Sequence, residues 1–184
     1  RRRPVPPLGS PRRESARTPY AEIARASQAA DEAHPAFQNR FVETEFAPDI
    51  GALLATRRPR SRDEQPIWAA HVAAVEEGAS GVIQYETDRA RFLGRSRSAR
   101  SPVSVVDGRP LSNTVGAVLA PIFSLRCRVK LAPGATAHAI FSTVVAEPRE
   151  DGLDLAANYR ASAPFHGGAA PAPAPARAPH PHPH

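Results

Sequence analysis

Short apolar runs separated by turn chemistry dominate the middle of the chain. Phe41-Val42-Glu43-Thr44-Glu45-Phe46 puts Val42, Thr44 and Phe46 on one side and Phe41, Glu43 and Glu45 on the other, the period-two pattern of a strand. Pro48-Asp49 closes it. Further strands are predicted at Ala52–Arg57, Ile67–Val75, Val82–Thr87, Val103–Val106, Val115–Leu119, Ile122–Leu131 and Ala135–Val145. Each ends near Pro, Gly or Asp, and Asp107-Gly108 is a hairpin signal. Helical spacing is confined to two places. Glu150–Ala161 follows Pro148 with acidic residues at its start, as a helix should. Tyr20–Ala33 is rich in Ala, Glu and Gln and reads as helix by propensity alone. Many short strands with one late helix predict an antiparallel all-β sandwich.

Composition sets the limits of this domain. The 21 prolines concentrate before Tyr20 and after Phe165. Residues 1–17 therefore read as a disordered Arg/Pro arm, 18–165 as the sandwich, and 166–184 as a disordered Ala/Pro/His tail. The formal charge of +6 follows the same division: the first 17 residues carry +5, the tail +1, and residues 18–165 none. Nucleic-acid recognition needs clustered cations with stacking aromatics on a folded surface, so no specific nucleic-acid partner is expected. No apolar run approaches the 18 residues of a membrane span, and no apolar stretch follows the N-terminal arginines. A cytoplasmic location is the default expectation.

Chemistry-bearing residues are sparse. Cys127 is the single cysteine and lies in an apolar run, which predicts a buried thiol. Glu43 and Glu45 would lie about 7 Å apart on one strand face, but neighbours on one strand flank a bond poorly. His71 and His138 fall within predicted strands, and no nucleophile elbow or phosphate loop is present. The terminal His180-Pro181-His182-Pro183-His184 has ligands but no fold to fix them. No catalytic residue, cofactor or metal site is therefore assigned. Trp68, the sole tryptophan, reads as core. The densest polar cluster is Tyr85-Glu86-Thr87-Asp88-Arg89-Ala90-Arg91-Phe92-Leu93-Gly94-Arg95. It reads as a salt-bridged loop in which Asp88 pairs with Arg89 or Arg95. Trp68, Tyr85, Asp88, Arg89 and Arg95 are the candidates for a structural, docking or sugar-contact role.

That cluster resembles a motif in the N-terminal supersandwich of glycoside hydrolase family 94, formerly glycosyltransferase family 36. Other segments agree in order: His34-Pro35-Ala36-Phe37, Phe41–Glu45, Arg57–Arg60, Trp68 with His71, Leu111-Ser112 with Gly116, Pro121–Arg126, Pro133-Gly134 and Tyr159-Arg160. The series is similar to cyclic β-1,2-glucan synthases in particular and spans about Arg12–Phe165. The resemblance implies part of a galactose-mutarotase-like antiparallel β-supersandwich, and it places Thr18–Ala24 on a strand rather than a helix. It also implies that inverting phosphorolysis belongs to a following (α/α)6 barrel. Ala120 stands where relatives usually have Asp, and after Phe165 the Ala/Pro/His tail replaces the expected linker and barrel. The expectation is a truncated, non-catalytic, carbohydrate-binding-type module with β-glucan and a barrel domain as partners. Its rivals are a fragment active only with a separate barrel, a nonfunctional remnant, and anionic-surface binding through Arg1–Arg17.

Overall fold

The computed structural model describes residues 13–23, 42–59, 65–76 and 81–163. Its elements are β1 (Arg13–Arg17), β2 (Ala21–Glu22), β3 (Val42–Ala47), β4 (Ala52–Arg57), β5 (Trp68–Val75), β6 (Gln84–Asp88), α1 (Arg89–Leu93), α2 (Val103–Val106), β7 (Gly116–Ala117), β8 (Pro121–Leu131), β9 (Ala139–Ala146) and α3 (Arg149–Ala161). One antiparallel sheet runs β7-β3-β4-β5-β9; the other is built around β8, which pairs with β1, β2 and β6. The expected all-β sandwich with one C-terminal helix is the observed architecture.

Alternation explains the layers. Val42, Leu53, Ala55, Ala69 and Ala73 of the five-stranded sheet meet Phe123, Leu125 and Cys127 of β8 in one core. The opposite face of that sheet is also apolar: Ala52, Leu54, Ala70 and Val72 pack beneath α3 through Ala156 and Leu153. β4 and β5 are thus buried on both faces and read as near-continuous apolar runs. A turn at Pro48–Gly51 joins β3 to β4, and Gly51 takes φ +62°, which glycine adopts without cost. Arg149 at the start of α3 anchors the helix to β3, its Nε and Nη2 lying 2.7 and 2.5 Å from Glu45 Oε1.

Three expectations change. Arg13–Arg17 is not part of a disordered arm: it pairs residue by residue with Leu131–Cys127. β2 keeps that same register against β8, with Ala21 opposite Phe123. β1 and β2 are therefore one edge strand interrupted at Thr18-Pro19-Tyr20, where proline cannot donate to the ladder. Side chains fill the gap, Ser124 Oγ donating to Pro19 O at 2.8 Å and Arg126 Nε to Thr18 Oγ1 at 3.0 Å. The helical reading of Tyr20–Ala33 fails at Ala21–Glu22, which are strand; residues 24–33 lie outside the described residues. Val103–Val106 is a helical turn rather than a strand. Val105 and Val106 stay exposed, so β-propensity finds no pleated surface to reward it. The disorder expected of residues 1–12 and 166–184 lies outside the described residues. Among the described residues no helix is long and apolar enough to cross a membrane.

Candidate functional site

The polar cluster forms where the end of β6, the turn of α1 and the loop segment 111–114 meet the β2 edge. Glu86 is buried and accepts three hydrogen bonds. Its Oε1 takes the backbone N–H of Thr87 and of Asp88, each at 3.1 Å, and its Oε2 takes the Ser112 hydroxyl at 2.7 Å. With its proton committed to Glu86, Ser112 Oγ accepts from Thr114 Oγ1 at 2.7 Å, and Thr114 Oγ1 in turn accepts from Arg91 Nη1 at 3.2 Å. Tyr85 and Asn113 exchange two bonds: Tyr85 N donates to Asn113 Oδ1 at 2.8 Å, and Asn113 N to Tyr85 O at 2.9 Å. Asn113 sits at φ 54°, a left-handed conformation that asparagine tolerates.

Asp88 caps α1. Its Oδ1 accepts the Ala90 N–H at 2.8 Å, the N-cap geometry expected of aspartate. Its ionic partner is Arg91 at 3.7 Å, not Arg89 or Arg95, because one turn of helix carries residue 91 back over the cap. Arg89 instead crosses to β2, with Nε 3.0 Å from both Glu22 Oε1 and the Tyr20 hydroxyl. The Tyr20 hydroxyl also donates to Glu22. That bond, followed by the one from Arg89, holds the Glu22 carboxyl below the usual range. Burial, and then the same carboxylate, raise the Tyr20 phenol. The Tyr20 ring stacks on Phe92 at 5.1 Å, above Leu93, Leu111 and Ile122. The Arg89 N–H donates to Ala120 O at 3.1 Å; position 120 thus meets α1 through its backbone, whichever side chain it carries.

The five candidates do not converge. Trp68 lies on the helix side of the five-stranded sheet, half-buried, with the Arg149 guanidinium 5.7 Å from its ring centroid. Tyr85 lies on the other side and stacks on Phe46 at 4.1 Å. Asp88 and Arg89 share the α1 corner, while Arg95 is exposed beyond it and joins none of these pairs. Sequence reasoning missed the buried Arg126 and the role of Ser112–Thr114, which emerge only when β6 and that segment are side by side. Cys127 is buried as expected, and burial pushes its thiol up to about 11.

These features define a two-sheet antiparallel sandwich, backed by one helix and closed at one corner by a polar clamp. The sequence profile of the glycosyl hydrolase 94 supersandwich domain matches residues 9–162. The chain belongs to this family. It is also 37% identical over 139 residues to the cyclic beta-(1,2)-glucan synthase NdvB of Rhizobium meliloti (strain 1021). That match covers 76% of the chain but 5% of the relative's length.

Proposed function

We propose that the chain is a non-catalytic, carbohydrate-binding-type sandwich module that acts within, or beside, an enzyme working on β-1,2-linked glucan, whose bond-making groups lie on another domain. The observation that carries this reading is the fate of the carboxylates. Glycoside chemistry needs two carboxyl groups placed on either side of a bond and free to exchange protons. Here Glu86 is consumed by two backbone N–H groups and a hydroxyl, and Asp88 by a helix cap. Glu22, Glu43 and Glu45 are each held by an arginine.

In this reading the Glu86–Asp88 clamp fixes the corner, and the exposed Arg89 and Arg95 face a partner domain of the (α/α)6 barrel kind. Tyr85 and Trp68 contribute packing rather than sugar contact. The small share of the relative that is matched favours a second reading, in which the module contributes to turnover only once joined to such a barrel. One experiment separates the two. The purified chain is incubated with phosphate and β-1,2-linked glucooligosaccharides while phosphate consumption is followed, alone and with a separately produced barrel domain of a family member. No consumption is expected from the chain alone. Reproducible phosphorolysis by the chain alone refutes the proposal, and consumption that appears only on mixing establishes the second reading.

A further inference from the structure

Arg126 is a buried cation, 3% exposed, and among the described residues it has no acidic partner. Its Nε donates to Thr18 Oγ1 at 3.0 Å, Nη1 to Arg109 O at 2.6 Å and Nη2 to Ser104 O at 2.5 Å. All three acceptors are uncharged, so the guanidinium is hydrogen-bonded without being neutralised. Five N–H groups are available to it, and three are used. A desolvated charge lacking a counter-charge is costly. Burial, and then the charge of Arg128, lower the Arg126 pKa, yet a guanidinium stays protonated.

Strand alternation brings a second cation to the same place. Phe123, Leu125 and Cys127 face the core, so Arg126 and Arg128 share the outer face of β8. Both border a cleft of about 220 Å³, whose other walls are Ala16, Thr18, Val105 and Gly108. None of these walls is acidic. The nearby carboxylates are engaged elsewhere or only loosely: Asp107 lies 3.4 Å from Arg97 and 3.6 Å from Arg109, and Glu14 lies 3.7 Å from Arg128. The mouth is open, since a Cβ added at Gly108 would meet nothing within 4 Å.

We propose that this cleft between β1, β8 and the α2 turn binds a small oxyanion, a phosphoryl or carboxylate group, which supplies the counter-charge Arg126 lacks. Planar guanidinium donors match the paired oxygens of such groups, and two like charges lining one cleft focus their field on it.

The test uses the full 184-residue chain and two probes, inorganic phosphate and succinate, against chloride at matched ionic strength. Melting midpoint and isothermal titration are read for the wild type, Arg128→Gln and Ala16→Glu. Saturable binding of one or both probes is expected. Arg128→Gln weakens it by about tenfold, as loss of a charge-assisted pair should. Ala16→Glu places a carboxylate opposite Arg128, and the response to added anion disappears. Saturation by phosphate alone identifies a phosphoryl ligand, and by succinate alone a carboxylate. The proposal fails if neither probe saturates, or if all three proteins respond alike, the signature of a general salt effect.

Discussion

His71 links the core of this sandwich to pH. Its ring is stacked with two phenyl rings, 5.5 Å from Phe123 and 6.2 Å from Phe141. Nδ1 meets Thr143 Oγ1 at 2.8 Å, while Nε2 is buried without a partner. A bare lone pair is cheaper to bury than a bare N–H, so the neutral tautomer carrying its proton on Nδ1 is expected, donating to Thr143. A second proton would place a charge in an apolar core, and burial accordingly lowers the pKa from 6.5 to about 4. The direction of the effect follows. Between those values the unfolded chain takes up a proton that the folded one refuses, so stability is complete above pH 6.5 and falls as pH drops toward 4. The full loss corresponds to about 3 kcal/mol, of which about 2 kcal/mol has gone by pH 5. Urea unfolding at pH 7.5, 6 and 5 measures it, with His71→Phe as the reference that keeps the stacking and cannot titrate. Carboxylate contributions cancel in the difference between the two proteins. The wild type is expected to lose about 2 kcal/mol relative to His71→Phe between pH 7.5 and 5. A difference that stays level across that range would show that the histidine is hydrated or partnered, and the argument from burial would fall.

Two further predictions concern the polar corner. Gly94 has φ +82°, and a Cβ there would lie 2.9 Å from both Cβ and Cγ1 of Val103. Gly94→Ala should therefore cost about 3 kcal/mol in thermal or urea unfolding, and Val103→Ala should recover only part of it, because the Cβ contact and the backbone conformation remain. Full recovery would mean that the conformation carries no strain. Glu86→Ala leaves two backbone N–H groups and a hydroxyl without their acceptor and should cost about 3 kcal/mol, with Glu86→Gln costing less because one acceptor oxygen survives. Equal and small losses in both variants would show that water replaces the carboxylate.

How far the fold could be read depended on where the information lies along the chain. Ala52–Arg57 was predicted to the residue because both its faces are buried and turns bound it. β1 escaped because Arg-Glu-Ser-Ala-Arg has no apolar alternation: it is an edge strand with little buried side chain, defined by its ladder to β8. The helical turn at Val103–Val106 was misread for the converse reason. Its β-branched residues fit a strand, but the chain turns after Pro102 and no neighbouring strand receives them. The local density of polar residues marks the α1 corner in the sequence but not what it bonds to. The partners Tyr20, Glu22, Ser112 and Asn113 come from 26 to 69 residues away in sequence, and pairings at that separation depend on which strands end up adjacent.

The same geometry explains why a dense polar motif need not signal catalysis. Three charged or amide groups in the corner join segments that the sheets alone leave unconnected. Arg89 ties α1 to β2, Glu86 ties β6 to the segment at Ser112, and Asn113 extends the β6 edge by two bonds. A one-turn helix such as α1 is too short to form unaided, so its cap and its arginines must come from fixed residue types at fixed spacing. That requirement concentrates recognisable residues at a structural joint as strongly as an active site would. Convergence on an open volume is what distinguishes the two cases. The candidates drawn from the motif do not converge in this way, whereas Arg126 and Arg128 border one cleft.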